Sequence, residues 1–307
     1  MAETIPMTTS IRGAPEGGAV PNLAGVSALA GDYDGFVLDL WGVIHDGVEP
    51  YPGALDCLAR LRAAGKATVL LSNAPRRAAT VIEAMAAMGI PRDCYGAVLS
   101  SGEATWHALR RRDDPWHAAL GRRCHLIGGD ADRDLLDGLE VEEIARPAAA
   151  DFILNIGVIG DDETVADYES VLAEGAAAGV PMVCANPDLE VIRGGRRVVC
   201  AGLLAARYEA LGGRVHYHGK PHPPVYAECL RILGLAERVR VVAIGDSLRT
   251  DIAGARAAGI DSVLVTGGIH AEALGVTHGE EADPAAVTAA CREAGEAPVA
   301  AIPAFVW

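Results

Sequence analysis

Short apolar runs alternate with longer amphipathic segments along most of the chain. The apolar runs at 36–40 and 67–71 have the length of strands. The segment at 52–64 has the spacing of a helix and stops at Gly65, which is typical of a helix C-terminus. Strands that alternate with helices predict a parallel sheet with helical crossovers. We therefore expect an α/β fold.

The alternation is interrupted once, which indicates an insertion. Residues 113–115 form a break, and a second alternating set of strands and helices follows it. The first pattern then resumes with a helix at 203–211 and a strand at 215–218. The expected parts are a flexible N-terminal tail at 1–22, a core formed by 23–113 and 199–307, and an inserted α/β domain at 114–198.

Four of the apolar runs end in short polar clusters. These clusters are Asp39; Ser72 with Asn73; Lys220; and Asp246, with Asp251 five positions further on. Because ligands of a parallel sheet bind beyond the carboxyl ends of its strands, we expect these side chains to meet at one edge. Each cluster alone is more typical of a cap, a turn or a loop. Together, in this order, they indicate a site that handles a phosphoryl group.

The acidic residues of this set suit a nucleophile and a magnesium ion. A carboxylate at Asp39 can attack phosphorus and form an acyl phosphate, which divides one difficult hydrolysis into two easier steps. Magnesium prefers oxygen ligands, so Asp246 would share the ion with Asp39. Asp251, at the start of a helix, would orient water molecules bound to the metal.

The remaining polar residues suit the oxygens of the phosphoryl group. Ser72 and the backbone amides around Asn73 would offer hydrogen-bond donors at a helix N-terminus. Lys220 would supply a fixed cation that offsets the negative charge of the nucleophile and of the transferred group.

Charge and composition limit the class of partner. The net charge of −15 argues against nucleic acid and an anionic membrane, since both are bound by clustered Lys and Arg. A small phosphorylated metabolite stays compatible, because a metal ion and a few cations reverse the sign within a pocket. The seven cysteines form no C-x-x-C pair, and we find neither a secretory signal nor an apolar run that spans a membrane. We therefore expect a cytoplasmic protein.

Four segments resemble the motifs of the haloacid dehalogenase-like superfamily. They are FVLDLWGVIHDG at 36–47, LLSN at 70–73, GKP at 219–221 and GDSLRTDI at 245–252. The predicted insert lies between the second and third of these motifs and carries Asn186 and Asp188 in the sequence Ala-Asn-Pro-Asp. This arrangement is similar to class IIA, the NagD-like sugar and nucleotide phosphatases.

The resemblance implies a Rossmann-like core with an α/β cap of the C2 type, magnesium as cofactor and an aspartyl-phosphate intermediate. It implies that the backbone carbonyl of Trp41 is a metal ligand beside Asp39 and Asp246. It also implies that Asn186 and Asp188 contact the substrate from the cap. The expected substrate is a small phosphorylated metabolite such as a sugar phosphate, and homodimerisation through the cap is compatible with this class.

One position departs from the family pattern. Phosphatases of the family usually carry a second Asp two residues after the nucleophile, where it acts as general acid and base, whereas this chain has Trp41. General acid–base catalysis contributes roughly 10² to 10⁴-fold to a rate, so we expect leaving groups of low pKa to be favoured. His45 and Asp46 are the nearest candidates to replace the missing acid.

Trp41 also keeps two other functions open. The main alternative is a regulatory protein that binds phosphate but has lost turnover, and phosphate release by the wild type and by Asp39→Asn distinguishes the two. The other is carbon–halogen cleavage, because dehalogenases of the family also place an aromatic residue here. The insert and the acidic fourth motif disfavour cleavage of that kind.

Two further groups of residues have more ordinary explanations. His216 and His218 share one face of a strand, which is compatible with a metal pair, but packing or hydrogen bonding is the more common use. Arg193, Arg196 and Arg197 suit a solvated loop, with contact to substrate from the cap as the alternative.

Overall fold

The computed structural model describes residues 18–193, 196–235 and 240–307. The strands, in chain order, are β1 (Gly35–Asp39), β2 (Ala67–Ser72), β3 (Ala97–Ser100), β4 (Arg123–Ile127), β5 (Glu142–Glu143), β6 (Phe152–Asn155), β7 (Met182–Cys184), β8 (Glu190–Arg193), β9 (Arg196–Val199), β10 (Val215–Tyr217), β11 (Val241–Gly245), β12 (Asp261–Val265) and β13 (Ala300–Ile302). The α-helices are α1 (Ala54–Ala63), α2 (Ala78–Ala87), α3 (Ser101–Arg111), α4 (Pro115–Ala118), α5 (Val165–Ala177), α6 (Ala201–Ala210), α7 (Pro223–Leu233), α8 (Ala253–Ala258), α9 (Ala271–Leu274) and α10 (Pro284–Ala294). Shorter 3₁₀ turns lie at Val26–Ala28, Arg92–Cys94, Asp130–Leu136 and Pro147–Ala149, and a π-helical turn lies at Leu248–Ile252.

Six strands form a parallel sheet in the order β13-β12-β11-β1-β2-β3. The central strand β1 is buried along its whole length, with Phe36 and Leu38 in the hydrophobic cluster on one face and Val37 in the cluster on the other. A parallel strand covered on both faces requires a continuous apolar run, which is what the sequence provides. Because β1, β2 and β11 are neighbours, the residues at their carboxyl ends lie at one edge of the sheet.

A second parallel sheet has the order β10-β7-β6-β4-β5, and β8 and β9 form a separate antiparallel hairpin. Helices α5 and α6 supply Leu172 and Leu204 to the buried cluster against this sheet, together with Ile153 from β6. The two parallel sheets with their helices confirm the predicted fold class, a Rossmann-like core with an inserted α/β cap.

The second sheet extends beyond the predicted boundary at residue 198. Strand β10 pairs in parallel with β7, and Tyr208 of α6 lies in the same buried cluster as the second sheet. The segment from 199 that was predicted to belong to the core therefore includes a helix and a strand that pack with the second sheet. A three-residue strand carries too little sequence to indicate its sheet, and long-range pairing with β7 decides it.

The described part of the predicted N-terminal tail packs on the core. Residues 1–17 of the predicted tail lie outside the described residues, but the remainder is attached to the core, since Val20 is buried and Asn22 bridges Ala301 of β13. The apolar run that precedes Asp246 forms β11, which starts at Val241. None of the described helices combines the length and the apolar character that a membrane span requires.

Candidate active site

Asp39 and Asp251 share one buried lysine. Asp39 is the last residue of β1, and Asp251 lies in the π-helical turn that follows β11. Lys220, which is 3% exposed, places its Nζ 2.5 Å from Oδ1 of Asp39 and 2.8 Å from Oδ1 of Asp251. Three residues that are distant in the sequence therefore meet at the carboxyl edge of the first sheet.

Asp246 completes an acidic cluster at this edge. It follows β11 directly, and its Oδ2 accepts a hydrogen bond of 2.7 Å from the backbone amide of Ile269. Carboxylate oxygens of Asp39, Asp246 and Asp251 all lie within 4.8 Å of one another. The cluster depends on Gly42, whose φ is +82° and where a Cβ would lie 2.1 Å from Oδ2 of Asp246.

Burial and mutual repulsion perturb the ionisation of this cluster. Burial is the main reason that the pKa of Asp39 lies well above its usual value, and the negative charge of Asp251 adds to it. The same two causes raise the pKa of Asp246 to about 7. Burial by itself would lower the pKa of Lys220, but Asp251 and Asp39 hold that pKa above its usual value. A bound cation would offset both causes and favour the ionised carboxylates.

Asn73 connects Lys220 to the loop that follows β7. Its Oδ1 accepts a 2.7 Å hydrogen bond from the Lys220 amide, and its Nδ2 donates to the Lys220 carbonyl at 3.0 Å. The same Nδ2 lies 2.9 Å from Oδ1 of Asp188. Asn186 holds this loop by accepting a 3.0 Å hydrogen bond from the Asp188 amide. The side chain of Asn73, which follows β2 of the first sheet, therefore binds two segments that follow strands of the second sheet.

These groups surround a cleft of about 730 Å³. All the predicted site residues except Asp251 line it, and Asp251 lies behind Lys220. Ser72 accepts a 3.1 Å hydrogen bond from the amide of Ala74, so its hydroxyl proton stays available to a ligand in the cleft. The structure thus brings the residues of all four sequence motifs to one cavity.

Trp41 lines the cleft without offering a titratable group. Its ring meets the His45 ring edge-on at a centroid distance of 5.7 Å and packs against Gly47, where a Cβ would lie 2.3 Å from the indole. Burial lowers the pKa of His45 to about 4, and backbone hydrogen bonds lower the pKa of Asp46. Neither residue therefore has the near-neutral pKa that general acid–base catalysis favours.

Arg249 is a cleft residue that the sequence analysis missed. Its guanidinium donates a 2.9 Å hydrogen bond to the carbonyl of Pro187 and lies 3.9 Å from Oδ1 of Asp188. The only signal in the sequence is its position three residues after Asp246, within the fourth motif. It provides a second connection between the core and the loop after β7.

The three arginines near the hairpin differ from one another. Arg197 lines the cleft and lies 3.2 Å from Oε2 of Glu190, whereas Arg196 is exposed and pairs with Asp162. The side chain of Arg193 lies outside the described part of the chain. The sequence pattern predicts a loop here, and the hairpin formed by β8 and β9 corrects that prediction.

Comparisons with known proteins agree with the motifs. The family model of haloacid dehalogenase-like hydrolases matches residues 36–142, and a second HAD-hydrolase-like model matches residues 217–294. The crystal structure of a haloacid dehalogenase-like hydrolase from Brucella suis 1330 superimposes with a TM-score of 0.78 at 33% identity, covering 92% of this chain and 100% of that one.

Characterised relatives are more distant. Ribonucleotide monophosphatase NagD of Escherichia coli K12 is 27% identical over 242 residues, which cover 76% of this chain and 87% of NagD. Human chronophin is 28% identical over 258 residues, covering 80% of this chain and 85% of chronophin. The motifs, the parallel core with its inserted α/β unit and these similarities together show that the chain belongs to the haloacid dehalogenase-like hydrolase family, in its class IIA branch.

Proposed function

We propose that this protein is a magnesium-dependent hydrolase of phosphoric monoesters. The observation that carries the proposal is the convergence of three buried carboxylates around Lys220 at the edge of a parallel sheet. The names of the relatives support it, since NagD is a ribonucleotide monophosphatase.

Asp39 is the proposed nucleophile. One of its carboxylate oxygens attacks phosphorus, the bond to the leaving oxygen breaks, and an aspartyl phosphate forms while the leaving oxygen takes up a proton. Water then attacks the phosphorus and gives up a proton to solvent, the bond from phosphorus to the Asp39 oxygen breaks, and inorganic phosphate leaves with the carboxylate restored. Lys220 offsets negative charge next to the nucleophile, and the hydroxyl of Ser72 donates to a phosphoryl oxygen.

The acidic cluster fits a magnesium ion. Asp39 and Asp246 would hold the ion through carboxylate oxygens, which magnesium prefers, and the backbone carbonyl of Trp41 would be the further ligand that the family resemblance implies. A bound magnesium ion would supply positive charge against the transferred phosphoryl group. Asp251 would act as an outer carboxylate that holds Lys220 in position.

We further propose that residues 114–217 form a cap over the cleft, which extends the predicted cap by α6 and β10. The cleft wall includes Val48, Ile159 and Ile269, whose exposed fractions of 74%, 69% and 47% are large for apolar side chains. Ile159 lies in the cap and the other two lie in the core. Closure of the cap would bury these side chains and exclude water from the reacting groups.

The proposed substrate is a small phosphorylated metabolite such as a sugar phosphate. A cleft of about 730 Å³ accommodates such a molecule. On the cap side, Asn186 and Asp188 line the cleft and offer polar atoms for substrate hydroxyls. The loop after β7 would therefore select among substrates, and Arg249 would keep that loop in place through its hydrogen bond to the carbonyl of Pro187.

Phosphate release from a panel of phosphoesters tests the proposal. The wild type should release phosphate with magnesium and not with EDTA, and Asp39→Asn should lose more than about 10³-fold in rate, since the isosteric amide is not a nucleophile. Asp56→Asn, which alters an exposed carboxylate paired with Arg60, is the matched control. Equal rates for Asp39→Asn and the wild type would exclude the proposed nucleophile. Binding without turnover across the panel would favour the regulatory alternative.

A further inference from the structure

Three histidines meet where the chain passes between the two sheets. His117 lies on α4, before the first strand of the second sheet, and His216 lies on β10, the last strand of that sheet. His218 follows β10 directly. One ring nitrogen from each of the three lies within 4.8 Å of the other two. These residues are separate from the acidic cluster at Asp39.

The geometry of His117 resembles that of a metal ligand. Asp114 caps α4, and its Oδ2 lies 2.5 Å from Nδ1 of His117. A carboxylate that accepts from one ring nitrogen fixes the tautomer and leaves a lone pair on the other nitrogen, as in the carboxylate–histidine–zinc arrangement. That other nitrogen, Nε2 of His117, lies 3.0 Å from Nε2 of His218.

The distance between two of these nitrogens is close to that in a tetrahedral metal site. Two nitrogens bound to zinc at the usual distances lie about 3.3 Å apart, close to the separation between His117 and His218. His216 is on the same face of the strand as His218, because side chains alternate along β10. Within the described part of the chain, the ring of His216 has ring contacts but no protein hydrogen bond.

The donor atoms of the group also suit a transition metal, because all three are imidazole nitrogens. Neutral imidazole is the form that binds metal, and it favours zinc-like ions over magnesium. The all-oxygen cluster at Asp39 has the opposite preference.

We propose that His117, His216 and His218 bind a transition-metal ion of the zinc type, with Asp114 as the outer carboxylate. Three protein ligands leave one position of a tetrahedral ion for water. His117 lies before the first strand of the second sheet, and His216 and His218 lie at the end of its last strand. The ion would therefore link the two chain segments that connect the proposed cap to the core. The competing explanation is a hydrogen bond between His117 and His218 with Trp116 stacked on His216, whose ring centroids are 4.6 Å apart.

Cobalt and zinc titrations of the purified chain test the proposal. After removal of metals with a chelator and dialysis into excess magnesium, the chain should bind one zinc ion, measured by elemental analysis. Cobalt should give the intense visible absorption of a tetrahedral nitrogen site, and zinc should abolish that absorption. The excess magnesium would occupy the carboxylate cluster at Asp39, so that zinc or cobalt bound there does not add to the measured signal.

Three variants locate the site. Asp114→Asn should weaken zinc binding about 10 to 100-fold, and His216→Ala should weaken it further because a ligand is lost. His222→Ala removes a nearby histidine that stacks on Tyr217, and it should bind zinc like the wild type. Absence of stoichiometric zinc and of the cobalt absorption in the wild type would overturn the proposal, and so would equal binding by His216→Ala and His222→Ala. The wild-type result is decisive even where a variant fails to fold.

Discussion

Lys220 places its single charge between Asp39 and Asp251, with Nζ 2.5 Å from one carboxylate and 2.8 Å from the other. All three side chains are buried, and the carboxylate of Asp246 lies close by. Removing one partner from a buried ionic group is costly, because the remaining charge loses its compensation. We therefore expect the lysine to stabilise the site, in addition to its proposed part in the chemistry.

Lys220→Met tests this double role. We expect phosphate release to fall by at least about 10²-fold, since a fixed cation beside the reacting group is lost. We also expect the free energy of unfolding to fall by about 3–5 kcal/mol at pH 7. Lys66→Met, at the only other lysine of the chain, is the control, because Lys66 forms a salt bridge of 3.4 Å with partly exposed Asp34. Similar losses in both variants would contradict the role of Lys220.

Asn73→Ala tests the connection between the core and the loop after β7. The amide of Asn73 makes three hydrogen bonds, two to the backbone of Lys220 and one to Asp188. Its loss leaves buried polar groups unsatisfied, which should reduce the free energy of unfolding by roughly 1–3 kcal/mol in urea titrations. Asn22→Ala, which removes one bond to the carbonyl of Ala282, should lower it less. An equal loss in both variants would count against the connection.

Trp41→Asp tests the missing general acid. An indole cannot transfer a proton at neutral pH, so we expect the wild-type rate to depend steeply on the pKa of the leaving group, with aryl phosphates faster than alkyl ones. Trp41→Asp should make this dependence shallower, and Trp41→Phe, which keeps an aromatic ring against Gly47, should leave it steep. A shallow slope in the wild type would mean that another group donates the proton.

Asp34→Asn tests a pH-dependent contribution to stability. Hydrogen bonds from Arg240 are the main reason that the pKa of Asp34 falls from 3.8 to about 2. A lowered pKa in the folded state stabilises the protein above pH 3.8, and this contribution is lost as the pH falls through 2. The difference in unfolding free energy from the wild type should be at most about 1 kcal/mol at pH 6, because the 41% exposed side chain is screened by solvent. Urea titrations of both proteins at pH 6 and pH 2.5 measure this difference in unfolding free energy. A difference that grows towards low pH would contradict the lowered pKa of Asp34.

The sequence predicts the core of the site because a parallel sheet imposes a simple rule. Asp39, Ser72 and Asp246 each lie at or directly after the end of an apolar run, and parallel neighbours bring such ends to one edge. The rule needs no knowledge of side-chain contacts. For the same reason, it does not reveal that Asn73, after β2 of the first sheet, binds Lys220 and Asp188, which follow β10 and β7 of the second sheet.

Features that depend on pairing between distant strands cannot be predicted from the local sequence. The three residues of β10, Val-His-Tyr, are compatible with either sheet, and only the pairing with β7 assigns the strand to the second one. The histidine cluster also depends on long-range contacts, because His117 lies on a short helix about a hundred residues before His216 and His218. Side chains so far apart are brought together by the fold and leave no local spacing that a motif could show.

The proposed mechanism requires that the phosphoryl group of the substrate is transferred to Asp39 before it is released as phosphate. Acid quenching of the wild type during turnover of an aryl phosphate with magnesium, followed by peptide mass spectrometry, tests it directly. We predict a phosphoryl group on Asp39 that hydroxylamine removes, and no such group in Asp39→Asn. A phosphoryl group on another residue, or turnover that persists in Asp39→Asn, would contradict the account.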